Sequence, residues 1–433
     1  MVRTKPYVAE PLRLGQSIGA ALAFSGVARS APLLLGAQGC AAVAGSLLAR
    51  HFRRPAPIRA VAMNETSAAL GGEREIEKAL AAAERDEPLD LIGLVTGGVN
   101  ETRGDDLDGL LRRLNRRRQR PSAELIGVST PDFSGSLQDG WSRAVERMVE
   151  FFARPAEHDS RRIALLPGCH LTPADVEALK SLCLGFDLKP VVLPDLSGAL
   201  DRRDWKKGFA GVAFDELRAI GSSIAALGFG AHIRKACESL ADICRVPAYV
   251  FDAPFGLSAT DELIRILSEI SGRTAPQAQR KARDRLIDVL ADSAEIFSGS
   301  RVAVAGEADM AFALAALFGE WGVDVEAAIV AASAPGLRAP FIVGDFQDLE
   351  MAAADCDLIA APSVARRAAQ RLGVPLWRCG LPITDRIDAP FRVQIGYGGA
   401  RRMIFEVAAL LAERTQGATV GVPFGWSAPE ANG

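Results

Sequence analysis

Short apolar runs that stop at Gly, Ser, Thr or Pro and then give way to a helical pattern recur from one end of this chain to the other. A strand covered on both faces reads as a continuous apolar run, and parallel neighbours need a crossover helix between them. The pattern therefore predicts an α/β fold of mainly parallel sheets. The first clear unit is Leu91-Ile-Gly-Leu-Val-Thr96, followed by a glycine pair and an acidic helix start in Gly104-Asp-Asp-Leu-Asp-Gly-Leu-Leu; Leu125-Ile-Gly-Val-Ser129 follows it. A second group opens at Arg162-Ile-Ala-Leu-Leu-Pro167, with Thr172 and Pro173 as N-cap and first-turn residue of a helix. Pro190-Val-Val-Leu-Pro194 comes next, then a stretch from Ser222 to Ile243 that reads as helix, then the strand Ala248-Tyr-Val-Phe251. Residues 260–297 are helical and charged and serve as a connection. The third group starts with Ser300-Arg-Val-Ala-Val-Ala-Gly-Glu-Ala-Asp309; Asp357-Leu-Ile-Ala-Ala361 and Pro375-Leu-Trp-Arg378 are its later strands, and a last helix covers residues 399–413. The expected organisation is three Rossmann-like domains, at 1–158, 159–298 and 299–433, ending in a loosely held Gly- and Pro-rich tail.

A net charge of −3 argues against nucleic acid or an anionic membrane as the main partner, and no apolar run is long enough to span a bilayer. Seven scattered cysteines with no CxxC pair do not make a disulfide framework, which points to a reducing cytoplasm. The turn Ala305-Gly306-Glu307-Ala308-Asp309 lacks the glycine spacing of a dinucleotide fingerprint. The basic run from Arg112 to Arg120 complements a helix C-terminus or meets an acidic partner. Cys169 is expected to be a buried thiol beside a surface imidazole, His170; Cys183, Cys237, Cys244, Cys356 and Cys379 lie in apolar contexts and read as core. Cys40 differs. It lies in a Gln38-Gly39-Cys40 bend where Gly39 leaves room and exposes backbone N–H donors, so either a structural thiol or an iron-sulfur ligand is open to it. One thiolate cannot hold a cluster, so the remaining ligands of a cluster here come from another chain.

A set of motifs then narrows the reading. Gly36-Ala-Gln-Gly-Cys40, Arg50-His-Phe-Arg-Arg-Pro55, Ala62-Met63 with Leu70-Gly-Gly72, Glu101-Thr-Arg-Gly-Asp-Asp-Leu107, Ser129-Thr-Pro-Asp-Phe133, Gln138-Asp-Gly-Trp141, Leu267-Ser-Glu-Ile-Ser-Gly-Arg273 and Gly396-Tyr-Gly-Gly-Ala400 occur in this order. Together they resemble the nitrogenase component 1 superfamily, and most closely its cofactor-assembly branch. In the superfamily's catalytic β-type subunit three cysteines hold one side of an interface cluster; the corresponding positions here are Gly15, Cys40 and Gly98. The resemblance implies that Cys40 is the single ligand this chain gives to a [4Fe-4S] cluster completed by three cysteines of a partner, NifE. Glycine at the two vacated positions removes bulk and donors, so a larger eight-iron cluster would be poorly held. Asp132 stands where the catalytic subunit has a serine near its cluster; it is a candidate to tune the cluster, or else a turn residue or helix cap.

The resemblance further implies an α2β2 heterotetramer with NifE, an iron-molybdenum cofactor precursor held mainly by NifE, and transient docking of the nitrogenase iron protein NifH. The chain is then a scaffold and electron relay with no stand-alone activity. The alternatives are a redox subunit of the dark-operative protochlorophyllide reductase type, where an aspartate replaces the cysteine, and a vanadium-system relative of the assembly branch.

Overall fold

The computed structural model describes residue 8 and residues 10–118, 122–201 and 209–418. Its first unit runs α1 (Gln16–Ser25), β1 (Ser30–Leu34), α2 (Gln38–Phe52), β2 (Arg59–Ala60), α3 (Glu65–Leu70), α4 (Glu73–Asp86), β3 (Leu91–Val95), α5 (Gly98–Arg103), α6 (Leu107–Arg117), β4 (Glu124–Val128) and α7 (Leu137–Phe152). Its second runs β5 (Arg162–Pro167), α8 (Pro173–Gly185), β6 (Lys189–Val192), α9 (Phe214–Arg218), β7 (Ala226–Phe229), α10 (Arg234–Cys244), β8 (Ala248–Phe251), α11 (Gly256–Ser271) and α12 (Gln277–Phe297). The third contains β9 (Arg301–Gly306), α13 (Ala308–Glu320), β10 (Asp324–Val330), β11 (Phe341–Val343), α14 (Phe346–Ala352), β12 (Leu358–Ala361), α15 (Arg366–Leu372), β13 (Leu376–Arg378) and α16 (Gly396–Ala418).

The strands form three sheets, ordered β2-β1-β3-β4, β6-β5-β7-β8 and β11-β10-β9-β12-β13, and every pairing is parallel. The expected α/β class with mainly parallel sheets is what the chain adopts. Each sheet reverses its winding once, between β1 and β3, between β5 and β7, and between β9 and β12, and such reversals open a crevice at the strands' carboxyl ends.

Period-2 alternation sends successive residues of the central strands into different cores. Ile163 and Leu165 of β5 join a core shared with Val302 and Val304 of β9, whereas Ala164 and Leu166 join one shared with Leu91, Val95 and Trp141 of the first unit. The second sheet thus supports both others. Burial on both faces is the reason its strands read as unbroken apolar runs.

Four strands went unforeseen and one was misread. β1, β2, β10 and β11 carry no clear signal; β1 holds Pro32 in mid-strand, a residue normally kept to edges, yet it pairs with both β2 and β3. The stretch from Ser222, expected as helix, contains β7, and its helix begins only at Arg234. Ala226-Leu-Gly-Phe229 is wholly buried and has no β-branched residue, so nothing in its pattern distinguishes strand from buried helix. The expected loose tail after residue 418 lies outside the described residues.

Part of the basic run finds its acidic partner within the chain. Arg113 and Arg117 of α6 bond Glu73, Arg117 also bonds Glu77, and Arg118 bonds Glu84, all on α4; Gln119 and Arg120 lie outside the described residues. His170, expected at the surface, is 5% exposed, and burial lowers its pKa below the usual imidazole value. It sits at the carboxyl end of β5, where the second sheet meets the third.

Helices α1 and α7 touch backbone to backbone. A Cβ on Gly140 would lie 1.8 Å from the Gln16 carbonyl oxygen, and one on Gly19 would lie 1.9 Å from that of Leu137. Gly140→Ala is therefore expected to push the helices apart and lower stability by about 2 kcal/mol. Chemical denaturation compared with Gly45→Ala, where an added Cβ meets nothing within 4 Å, checks this.

Candidate functional site

The carboxyl end of the first sheet is a rigid frame. Leu35 N–H donates to the Val95 carbonyl (2.8 Å), Thr130 N–H to Thr96 Oγ1 (2.8 Å), and Thr130 Oγ1 to the Thr96 carbonyl (2.5 Å), so the ends of β1, β3 and β4 are tied together. Ser129 Oγ donates to Glu101 (2.8 Å) and Arg103 Nη1 to the Ala68 carbonyl (2.5 Å), while Asn100 Nδ2 donates to Asp105 (3.1 Å). The polar residues of the Glu101-to-Leu107 motif thus close the loops around α5. Helix α2 is anchored at its far end, where the Ile383 N–H donates to His51 Nδ1 (2.9 Å); burial lowers the His51 pKa to about 4, so the ring is a neutral acceptor.

Cys40 is not on a bend. The bend is at Leu35-Gly36, Ala37 is the N-cap, and Cys40 lies in the first turn of α2, its N–H donating to the Ala37 carbonyl (3.1 Å). Ala41, Ala44 and Leu48 turn inward and Cys40 and Val43 outward, as a 3.6-residue period requires. Of the seven cysteines Cys40 is the exposed one; the other six are buried, as their apolar contexts indicated. Val43 (69% exposed), Val99 and Phe133 are also exposed, on or beside the elements that follow β1, β3 and β4.

Gly15, Gly98 and Asp132 come together. A Cβ on Gly15 would lie 2.8 Å from Asp132 Oδ1, and one on Gly98 would lie 3.8 Å from Asp132 Cβ. The Asp132 carboxylate accepts from Ser17 N–H and Ser17 Oγ (both 3.3 Å), which caps the start of α1 from outside the helix. Gln16, which the sequence reading did not single out, is the clamp: its Nε2 donates to the Pro131 (3.1 Å) and Ser134 (2.7 Å) carbonyls and so fixes the loop carrying Asp132.

A second polar cluster, not foreseen, lies where the three sheets meet. Gln138 Oε1 accepts from Asp309 N–H (3.1 Å), so its amide nitrogen faces His232 Nε2 (3.1 Å), and His232 Nδ1 lies 2.9 Å from Asp309 Oδ1. That arrangement puts the ring proton on Nδ1. Burial opposes the charge of Asp309, but the bonds from His232 prevail and hold its carboxyl below the usual range. Glu307 bonds Ser136 Oγ and is buried; desolvation raises its pKa to about 7.

Among the described residues no group of three or more His, Cys, Asp or Glu side chains could hold a metal ion. A single outward thiol on a rigid helix cannot bind a cluster alone, and it fits one corner of a shared one. Around it, a Cβ at Gly36 or Gly39 meets nothing within 4 Å, so the chain's own packing does not require glycine there. Gly39→Ala should leave the thermal midpoint of the separate chain unchanged or slightly higher, since Ala exceeds Gly in helix propensity by about 1 kcal/mol. If the room at Gly39 serves a cluster, the same substitution should reduce iron in the assembled complex by about half or more, measured by metal analysis.

The family described as nitrogenase component 1 type oxidoreductase matches residues 15–412. The chain is 37% identical to the nitrogenase iron-molybdenum cofactor biosynthesis protein NifN of Bradyrhizobium diazoefficiens, over 94% of this chain and 90% of the relative. It is 33% identical to the NifN of Nostoc sp., over 94% of each. Its fold superposes on nitrogenase Cp1 at pH 6.5 with a TM-score of 0.90 and 26% identity, covering 99% of this chain and 98% of the other. No helix among the described residues is long and apolar enough to cross a membrane.

Proposed function

The chain belongs to the nitrogenase component 1 type oxidoreductase family, and from that premise we propose that it is a NifN-type subunit of a scaffold that matures the iron-molybdenum cofactor of nitrogenase. The observation that carries this reading is Cys40: an exposed thiol at a rigid helix start, with Gly15 and Gly98 where the catalytic subunit keeps two further cysteines. One ligand is what a shared [4Fe-4S] cluster needs from this side, the other three coming from NifE in an α2β2 assembly. The full-length likeness to NifN relatives supports the same assignment over a protochlorophyllide reductase subunit, whose counterpart supplies aspartate in place of Cys40.

The cluster, when bound, supplies one-electron transfer. The chain's own residues do the rest. Helix α2, fixed at His51, holds the Cys40 thiol at a constant position, from which it would ligate the cluster. Val43, Val99 and Phe133 give the apolar surround that a partner seals against water. The cofactor precursor rests mainly on NifE, with this chain as one wall, and the iron protein NifH docks transiently.

Co-expression with NifE tests the reading. The two should co-purify with about four irons per interface and a paramagnetic signal on reduction. Failure to associate, or a complex with no iron, would remove it.

A further inference from the structure

The two vacated ligand positions do not leave empty space, as two glycines alone would. They converge on one side chain. Gly15 has φ −68° and ψ 151°, a conformation open to any residue, so its backbone does not demand glycine. What excludes a side chain is Asp132: an added Cβ falls 2.8 Å from Oδ1 and 3.4 Å from Cγ, closer than carbon and oxygen approach without displacement. Gly98 is in ordinary contact with the same residue, its Cβ position 3.8 Å from Asp132 Cβ.

Asp132 cannot swing away freely. Its Oδ1 accepts from Ser17 N–H and its two carboxylate oxygens lie 3.3 Å from Ser17 Oγ. Its carbonyl accepts from Arg13 Nη2 (3.3 Å), and Gln16 clamps the loop on either side, at Pro131 and Ser134. Turning the carboxylate aside breaks the cap of α1.

We infer that Asp132 is a specificity-determining residue, a fixed plug that occupies the space a side chain at Gly15 would need and lies in contact with Gly98, and so helps restrict this chain to the single ligand Cys40. The inference rests on the cluster reading of Cys40 but concerns a different property, the size of the cluster. It adds to the expectation that glycine at these positions removes bulk and donors: beside Gly15 the space is taken by Asp132.

Two measurements test it. The first needs no iron. In a double-mutant cycle on the full chain, Gly15→Ala should lower the thermal midpoint by roughly 3 °C with Asp132 present and by less than about 1 °C in an Asp132→Gly background. Equal shifts in both backgrounds overturn the plug. The second uses the complex with its partner. Gly15→Cys/Gly98→Cys should stay at the unmodified iron content while Asp132 remains, and should rise about 1.5-fold or more once Asp132→Gly is added, with new Mössbauer components. A gain with Asp132 in place, or no gain without it, overturns the role in cluster size. A complex lacking any interface cluster instead defeats the proposed function, while the midpoint cycle still decides whether Asp132 fills this space.

Discussion

Cys40→Ala should strip the interface of its cluster and leave the fold standing. The thiol is exposed and in the first turn of α2, so it contributes no buried packing; the inward side of that helix is Ala41, Ala44, Leu48 and Phe52. Surface substitutions of this kind change stability by about 0.5 kcal/mol or less, and Ala favours the helix. The thermal midpoint and circular dichroism of the separate chain are therefore expected to match the unmodified protein. In the proposed complex with NifE the expected outcome differs. Removing one of four thiolates leaves an iron without its protein ligand at the edge of the face bearing Val43, Val99 and Phe133. Iron per complex should fall about five-fold or more and the paramagnetic signal should vanish. Cys40→Ser, with a weaker hydroxyl donor, should fall between, with a labile cluster lost on dilution. Unchanged iron in Cys40→Ala would assign the ligand elsewhere, and none of the six buried cysteines could replace it without unfolding its core.

Some of this was legible in the sequence and some was not, for identifiable physical reasons. The α/β class could be read because strands covered on both faces, such as Ile163 to Leu166, alternate between two cores and so must be apolar at every position. The same property hid β7, whose Ala, Leu, Gly and Phe suit a buried helix equally well. Cys40 could be singled out by its glycines and by the motif order, but its helical setting could not, because Gly39 in a first turn violates propensity and reads as a bend. The convergence of Gly15, Gly98 and Asp132 joins positions more than thirty residues apart through contacts that no periodicity encodes. Glu307 and Asp309 entered the sequence reading only as part of a turn lacking the dinucleotide spacing; what they face, Ser136, Gln138 and His232, comes from the first two units of the chain.

That junction carries the second large expected effect. Glu307 is buried, bonded to Ser136 Oγ, and near the carboxylate of Asp139, which accepts from Ser136 N–H (2.7 Å). Desolvation is the leading cause that raises its pKa from 4.5 to about 7; Asp139 adds to it, while the Ser136 bond and His232 work against it. The sign follows from proton binding. Between about pH 4.5 and pH 7 the unfolded chain gives up this proton and the folded chain keeps it, so the folded state binds more protons and stability falls as pH rises through this window. A displacement of about 2.5 pKa units corresponds to on the order of 3 kcal/mol, fully expressed above pH 7. Glu307→Gln keeps the shape and can still bond Ser136, as the protonated acid does, but has no proton to lose. The variant should therefore match the unmodified protein near pH 4.5 and exceed it at pH 8, with the thermal midpoint raised by several degrees there. Asp309→Asn supplies the opposite control: its carboxyl is held below the usual range by His232, so stability that depends on its charge is present above the usual carboxylate pKa and lost as pH falls. Removing that charge should lower the midpoint at pH 8 and matter less in acid. Parallel pH profiles for Glu307→Gln and the unmodified chain would show instead that Glu307 is ionised across this range at the junction of the three sheets.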